Sequence, residues 1–159
     1  MKAIDVARHF LFLARSFDGG DTISNLKMQK MLYYAQGWHL ALTTKELFDD
    51  EIEAWQYGPV VKSVYDEFRK YGKNSIDFSE LDSYKQSLSD ETAEFLAFIF
   101  DETSRIPAWQ LVKRTHQHKP YIDNYSQIKT NIIPKNEIKA FFNEQILQRS
   151  DEVRKGLGL

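Results

Sequence analysis

Apolar residues recur every three or four positions along most of the chain, the spacing of one face of an α-helix. Val6, Phe10, Leu13 and Phe17 form one stripe, and Ile4, Ala7, Leu11 and Ala14 form a second beside it. A helix apolar over most of its circumference is predicted to be buried. Gly19 and Gly20 are expected to close it, since Gly enters the left-handed region after a last helical turn without steric cost, and Asp21 and Thr22 continue the turn. A second helix is predicted from Ser24, whose hydroxyl suits a first-turn cap, to about Leu42. Met28, Met31, Leu32, Ala35, Trp38 and Leu42 make its inner face, with Lys27, Lys30 and Gln36 placed elsewhere on the cylinder. Gly37 marks a point of close helix packing.

The pattern then changes. Leu47-Phe48 and Ile52 to Tyr57 flank the acidic turn Asp49-Asp50 and predict a small β-hairpin. Alternation puts Trp55 and Tyr57 on one face of that strand. Gly58-Pro59 is expected to end the strand and open a third helix, striped by Val60, Val61, Val64, Tyr65 and Phe68 and closed by Tyr71-Gly72. Lys73 to Leu88 reads as a long surface connection anchored by Ile76, Phe78 and Leu81. Ser89 to Thr92 starts a fourth helix, buried through Ala93, Phe95, Leu96, Phe98, Ile99 and Phe100. Pro107 starts a short fifth helix carrying Trp109 and Val112, and Pro134 a sixth carrying Ile138, Phe141, Phe142 and Ile146. The expected fold class is mainly α, one compact helical domain of about six helices with a small β-hairpin. Residues 1–149 form the domain, and the charged, Gly-bearing residues 150–159 form a tail expected to fray.

Composition fits that reading. With 159 residues, 42% hydrophobic and 28% charged, the chain is long enough for one real core. Cys is absent, which removes disulfides, thiolate nucleophiles and Cys-ligated zinc and fits a reducing compartment. No apolar run reaches the roughly 18 to 20 residues of a membrane-spanning helix. Asp5, Arg8, His9 and Arg15 interrupt the one N-terminal stretch that resembles a signal segment, so a cytoplasmic protein is expected. A net charge of −2 gives no global pull towards nucleic acid or anionic lipid.

Catalytic chemistry finds little support. His116 and His118 are two apart and would need further ligands to hold a metal, with neither Cys nor HExxH to supply them. The acids Asp49, Asp50, Glu51 and Glu53 lack the spacing of a calcium loop. No nucleophile elbow and no Gly-rich phosphate loop occurs. No cofactor and no metal is expected. One charged feature is local: Arg105, Lys113, Arg114 and Lys119 lie in a stretch without an acid, beside Trp109 and Tyr121. Such a stretch suits phosphate contacts and stacking, an acidic protein surface, or a solvated face. The aromatic residues Tyr33, Tyr34, Trp38, Trp55, Tyr57 and Tyr65 cluster in adjacent segments, and Tyr and Trp anchor protein interfaces when partly exposed.

Two strings carry a resemblance. ISNLKMQKMLYYAQGWHLAL, Ile23 to Leu42, and FDDEIEAWQYGPVVKSVYDEF, Phe48 to Phe68, resemble the Panacea domain of SocA-like antitoxins and phage-associated GepA proteins. The matching residues include Asn25, Leu26 and Lys27, then Gly58, Pro59 and Val60, and later Thr115, His116 and Pro120. Tyr121 stands where the family pattern has Trp. The resemblance covers roughly residues 3 to 146. It implies a mainly helical domain with a small β element. It also implies a non-enzymatic antitoxin that neutralises a toxin by direct contact, the toxin coming from an adjacent gene. A SocA-like member would act as an adaptor to an ATP-dependent protease. A partner surface is then expected at Gln29, Lys30, Tyr33, Tyr34, Trp55, Tyr57 and Tyr65, unless those residues are framework and the motif encodes the fold. The alternative is a phage-associated interaction or regulatory protein that binds nucleic acid through Lys113 to Lys119.

Overall fold

The computed structural model describes residues 1–17, 22–156 and 158. The expected glycine cap at Gly19 and Gly20, with Asp21, lies outside them. Among the described residues there are seven α-helices: α1 (Ala3–Ser16), α2 (Asn25–Thr43), α3 (Lys62–Phe68), α4 (Asp90–Ser104), α5 (Ala108–Thr115), α6 (Lys119–Asn124) and α7 (Lys135–Gly156). A three-stranded antiparallel sheet completes them, with β1 (Glu53–Trp55) between β2 (Gly58–Val60) and β3 (Asn131–Ile132). The fold is mainly α with a small β element, as the periodicity predicts.

Helix α2 is the axis. It packs against α7, α4, α5, α1, α3 and β2, so little of its circumference is left for solvent. Met28, Met31, Leu32 and Ala35 are buried, as the stripe predicts, while Leu42 at the far end is exposed. Lys27, Lys30 and Gln36, expected away from the inner face, are buried too. A helix enclosed on all sides has no outer face to give them. Ser24 caps its start by accepting from the Lys27 amide at 3.2 Å. Helix α1 is held in place at its first turn by Asp50, which accepts from the Ala3 amide at 2.7 Å and from the Ser63 hydroxyl at 2.6 Å.

A hairpin is present, but it turns at Gln56-Tyr57 and not at Asp49-Asp50, and Leu47-Phe48 is not one of its strands. Leu47-Phe48 is buried extended chain with no strand partner. The Gln36 side chain replaces one, accepting from the Leu47 amide and donating to the Phe48 carbonyl, both at 2.8 Å. β1 instead pairs forward with β2, in the register Glu53 to Val60 and Trp55 to Gly58, across the two-residue turn Gln56-Tyr57. Gly58 closes that turn at φ +106°, a conformation L side chains rarely adopt. Pro59 therefore lies in a strand, and α3 begins only at Lys62.

Several faces were less buried than the stripes implied: Phe17 and Phe98 are exposed, on the rim of α1 and the outside of α4. The connection Lys73 to Leu88 is irregular apart from short 3-10 turns, and Ile76, Phe78 and Leu81 do anchor it. Helix α6, only six residues long, and the two-residue β3 had no periodic signal to announce them. Helix α7 continues through Gly156, past the boundary expected at Ser150.

Helix α7 crosses α2 at Gly37. A Cβ at that position would sit 2.1 Å from the Phe142 ring, which is itself buried. Gly37→Ala is therefore expected to cost about 2 kcal/mol of stability through overpacking, despite the higher helix propensity of Ala. Urea denaturation of the two proteins measures it.

Candidate functional site

The motif residues of α2 meet main chain. Asn25 donates to the Tyr65 carbonyl at 3.1 Å and accepts from the Gln29 amide group at 2.8 Å. The Gln29 side-chain oxygen in turn accepts from the Val61 amide at 2.9 Å. Lys30 donates to the Pro59 carbonyl at 3.0 Å, and Lys27 donates to the Ser104 carbonyl. Each buried side chain thus satisfies a peptide group that the hairpin, α3 or α4 would otherwise leave unpaired, a cost of about 1 to 3 kcal/mol each. Leu26 is half-buried beside them.

The later motif locks the same region from the other side. Thr115 is fully buried, and its hydroxyl donates back to the Leu111 and Val112 carbonyls at 3.0 Å. A Cβ on Gly58 would lie 2.6 Å from Lys30 Cε and 2.9 Å from the Thr115 hydroxyl, so Gly58 fits as glycine for space as well as for φ. His116 Nε2 donates to the Gln56 carbonyl at 3.1 Å, and Tyr121 donates to the Trp55 carbonyl at 2.6 Å. Pro120 is buried in the first turn of α6. The hairpin tip is therefore held by α2 beneath and by α5 and α6 beside it.

The expected partner residues separate by depth. Gln29, Lys30 and Tyr33 are buried, Tyr34, Trp55 and Tyr65 are half-buried, and Tyr57 is 49% exposed. Trp55 and Tyr57 do not share a face, because the strand ends at Trp55 and Tyr57 belongs to the turn. Trp55 packs on Tyr65 with ring centroids 4.8 Å apart and spends its indole N–H on Glu53. Tyr57 packs instead on Trp109 of α5, edge to face at 5.6 Å, and Trp109 is 61% exposed. In the sequence Trp109 reads as a residue of the fifth helix and a neighbour of the basic stretch. Its signal is a large aromatic on the first turn of a short helix.

The two histidines diverge. The His116 ring stacks on Tyr121 at 5.0 Å, whereas His118 packs on Phe141 and lies 3.0 Å from the Tyr33 hydroxyl. Burial, with the Arg114 charge second, pushes His118 down to about 4, so it is neutral at pH 7. Among the described residues, no group of three or more His, Asp or Glu is placed to hold a metal ion. In the basic stretch, Arg105 pairs with Asp101 at 3.3 Å and Lys119 with Asp123 at 2.5 Å. Lys113 and Arg114 are exposed and have no ion-pair partner among the described residues. No helix of the described residues is long and apolar enough to cross a membrane.

Residues 28–122 match the family described as antitoxin SocA-like, Panacea domain. The chain belongs to that family. Antitoxin SocA of Caulobacter vibrioides (strain NA1000 / CB15N) is 43% identical over 54 residues, which is 34% of this chain. The matched segment spans only 29% of that relative's length. No solved structure matches. The Panacea match begins within α2 and ends within α6, and so takes in the hairpin and the elements that hold it.

Lys30 gives the framework a measurable signature. It is fully buried with no carboxylate partner among the described residues, and desolvation brings it down to about 7 from the ordinary 10.5. Between those values the unfolded chain binds a proton that the folded one has released, so stability rises with pH across that window. Below pH 7 the full burden of the buried charge remains. Lys30→Met is expected to flatten the rise between pH 7 and 10, read as the difference in urea midpoint between variant and parent at each pH.

Proposed function

We propose that the chain neutralises a toxin protein by direct contact, with no chemistry of its own, in the cytoplasm. Family membership makes it an antitoxin-domain protein, and the observation that carries the contact reading is the exposed aromatic hairpin. Polar residues of α2 that would otherwise be available to a partner are spent on main-chain hydrogen bonds, whereas Tyr57 at the tip leaves about half of its side chain in solvent. A side chain with that much apolar area stays exposed on a well-packed domain at a free-energy cost, which a partner recovers by covering it.

In this reading Tyr57 at the tip meets the toxin first, with Tyr34, Trp55 and Tyr65 half-buried on the flanking faces, while Gln29, Lys30 and Tyr33 belong to the support beneath. The toxin is the product of the adjacent gene. Neutralisation follows either from occlusion in a stable complex or from delivery to an ATP-dependent protease. Nucleic acid is the weaker alternative, because two of the four cations of the basic stretch are already neutralised by ion pairs.

Co-expression with the adjacent gene product tests this. Tyr57→Ala removes a half-exposed ring at the turn, so the variant is expected to fold with a urea midpoint close to the parent's yet rescue growth less well and co-purify with less partner. Adding Trp55→Ala should deepen the loss. Full rescue by the double variant would remove the aromatic surface from the interface. Rescue that needs the host protease, with no stable complex, would identify the adaptor route.

A further inference from the structure

Tyr57 and Trp109 share more than a ring contact. They come from different elements, the hairpin tip and the start of α5, and are 49% and 61% exposed. Their rings are perpendicular, at 89°, so each stiffens the other without covering it. The Trp55 indole N–H is taken by Glu53, but the Trp109 indole N–H and the Tyr57 hydroxyl have no hydrogen-bond partner among the described residues. Lys113 follows Trp109 by one helical turn, and Arg114 carries the positive charge on around α5 towards Tyr34 and His118. Neither cation has an ion-pair partner among the described residues, and no acid occurs in the sequence from Arg105 to Lys119.

Every free polar group on this patch can donate a hydrogen bond. Indole N–H, ammonium and guanidinium accept none, and the Tyr57 hydroxyl donates as readily as it accepts. Such a surface is completed by an acceptor-rich, anionic one. We propose that Tyr57, Trp109, Lys113 and Arg114 form the principal docking surface for the toxin, and that the surface they meet is a carboxylate-rich patch of that protein around an apolar pocket for the Trp109 ring. This rests on the antitoxin reading and names both a residue outside the family motif and the chemistry of the partner. Trp, Tyr and Arg are the residue types that most often carry interface energy. Nucleic acid fits less well: stacked bases want parallel faces, whereas these rings block each other's approach at right angles, and two free cations make few phosphate contacts.

The test compares the parent protein with Trp109→Ala, with the double reversal Lys113→Glu and Arg114→Glu, and with Lys73→Glu as an exposed control elsewhere. Urea midpoints confirm folding. Growth rescue and calorimetric affinity for the adjacent gene product are read at 50 and 200 mM KCl. Trp109→Ala is expected to weaken binding about tenfold or more at both salts. The double reversal should weaken it by a similar factor at 50 mM and flatten its salt dependence, since attraction between exposed charges is what salt screens. Lys73→Glu should stay within about twofold, the range of a charge outside the contact. Unchanged affinity in both patch variants overturns the proposal while leaving the antitoxin reading in place. A parent protein that neither binds nor rescues overturns that reading, and the proposal with it. Loss of single-stranded DNA binding or of self-association in the variants, with partner affinity intact, would reassign the patch and overturn the proposal as well.

Discussion

A helix sealed on all sides must satisfy its polar side chains inside the protein, and α2 does so by binding the main chain of its neighbours. Asn25 and Gln29 hold the Tyr65 carbonyl and the Val61 amide at the start of α3. Lys30 holds the Pro59 carbonyl, and Gln36 holds the extended Leu47-Phe48 segment. Short strands and a seven-residue helix have little hydrogen bonding of their own to spare, so these contacts decide where the hairpin stands. Removing one side chain leaves a buried peptide group unpaired, which costs more than the bond itself contributes. The rest of the architecture, including the glycine at φ +106° that approaches Lys30 and Thr115, fits around that arrangement.

Placement of the surface follows from it. Tyr57 reaches solvent because the tip is clamped on three sides, by Lys30 below and by His116 and Tyr121 beside it. The clamping atoms take hold of carbonyls and leave the tip side chains free. The polar side chains of α2 are spent on that framework.

Helices with one apolar stripe were legible in the sequence, as α1, α4 and the long part of α7 show, because the 3.6-residue period survives wherever one face meets water. The same logic misplaces Lys27, Lys30 and Gln36, since a polar residue on a fully enclosed helix carries no mark of its burial. Leu47-Phe48 has β-prone residues but pairs with a side chain, and Gly58 to Val60 looks like a helix start yet pairs as a strand. Both outcomes turn on side chains of α2, Gln36 in the first and Lys30 in the second, whose partners no local period announces. Of the site, the aromatic cluster was visible as composition. Its split into Trp55 with Tyr65 and Tyr57 with Trp109 was not, because it turns on where β1 ends.

The polar side chains of α2 build the fold through main-chain hydrogen bonds. Equilibrium urea unfolding of Gln29→Leu tests it most directly, because the substitution keeps the apolar bulk and strips the bonds to Val61 and Asn25. The expected loss is about 2 to 4 kcal/mol, the cost of stranding buried polar groups. A midpoint unchanged from the parent, with binding to the toxin impaired, would contradict it and return Gln29 to the interface.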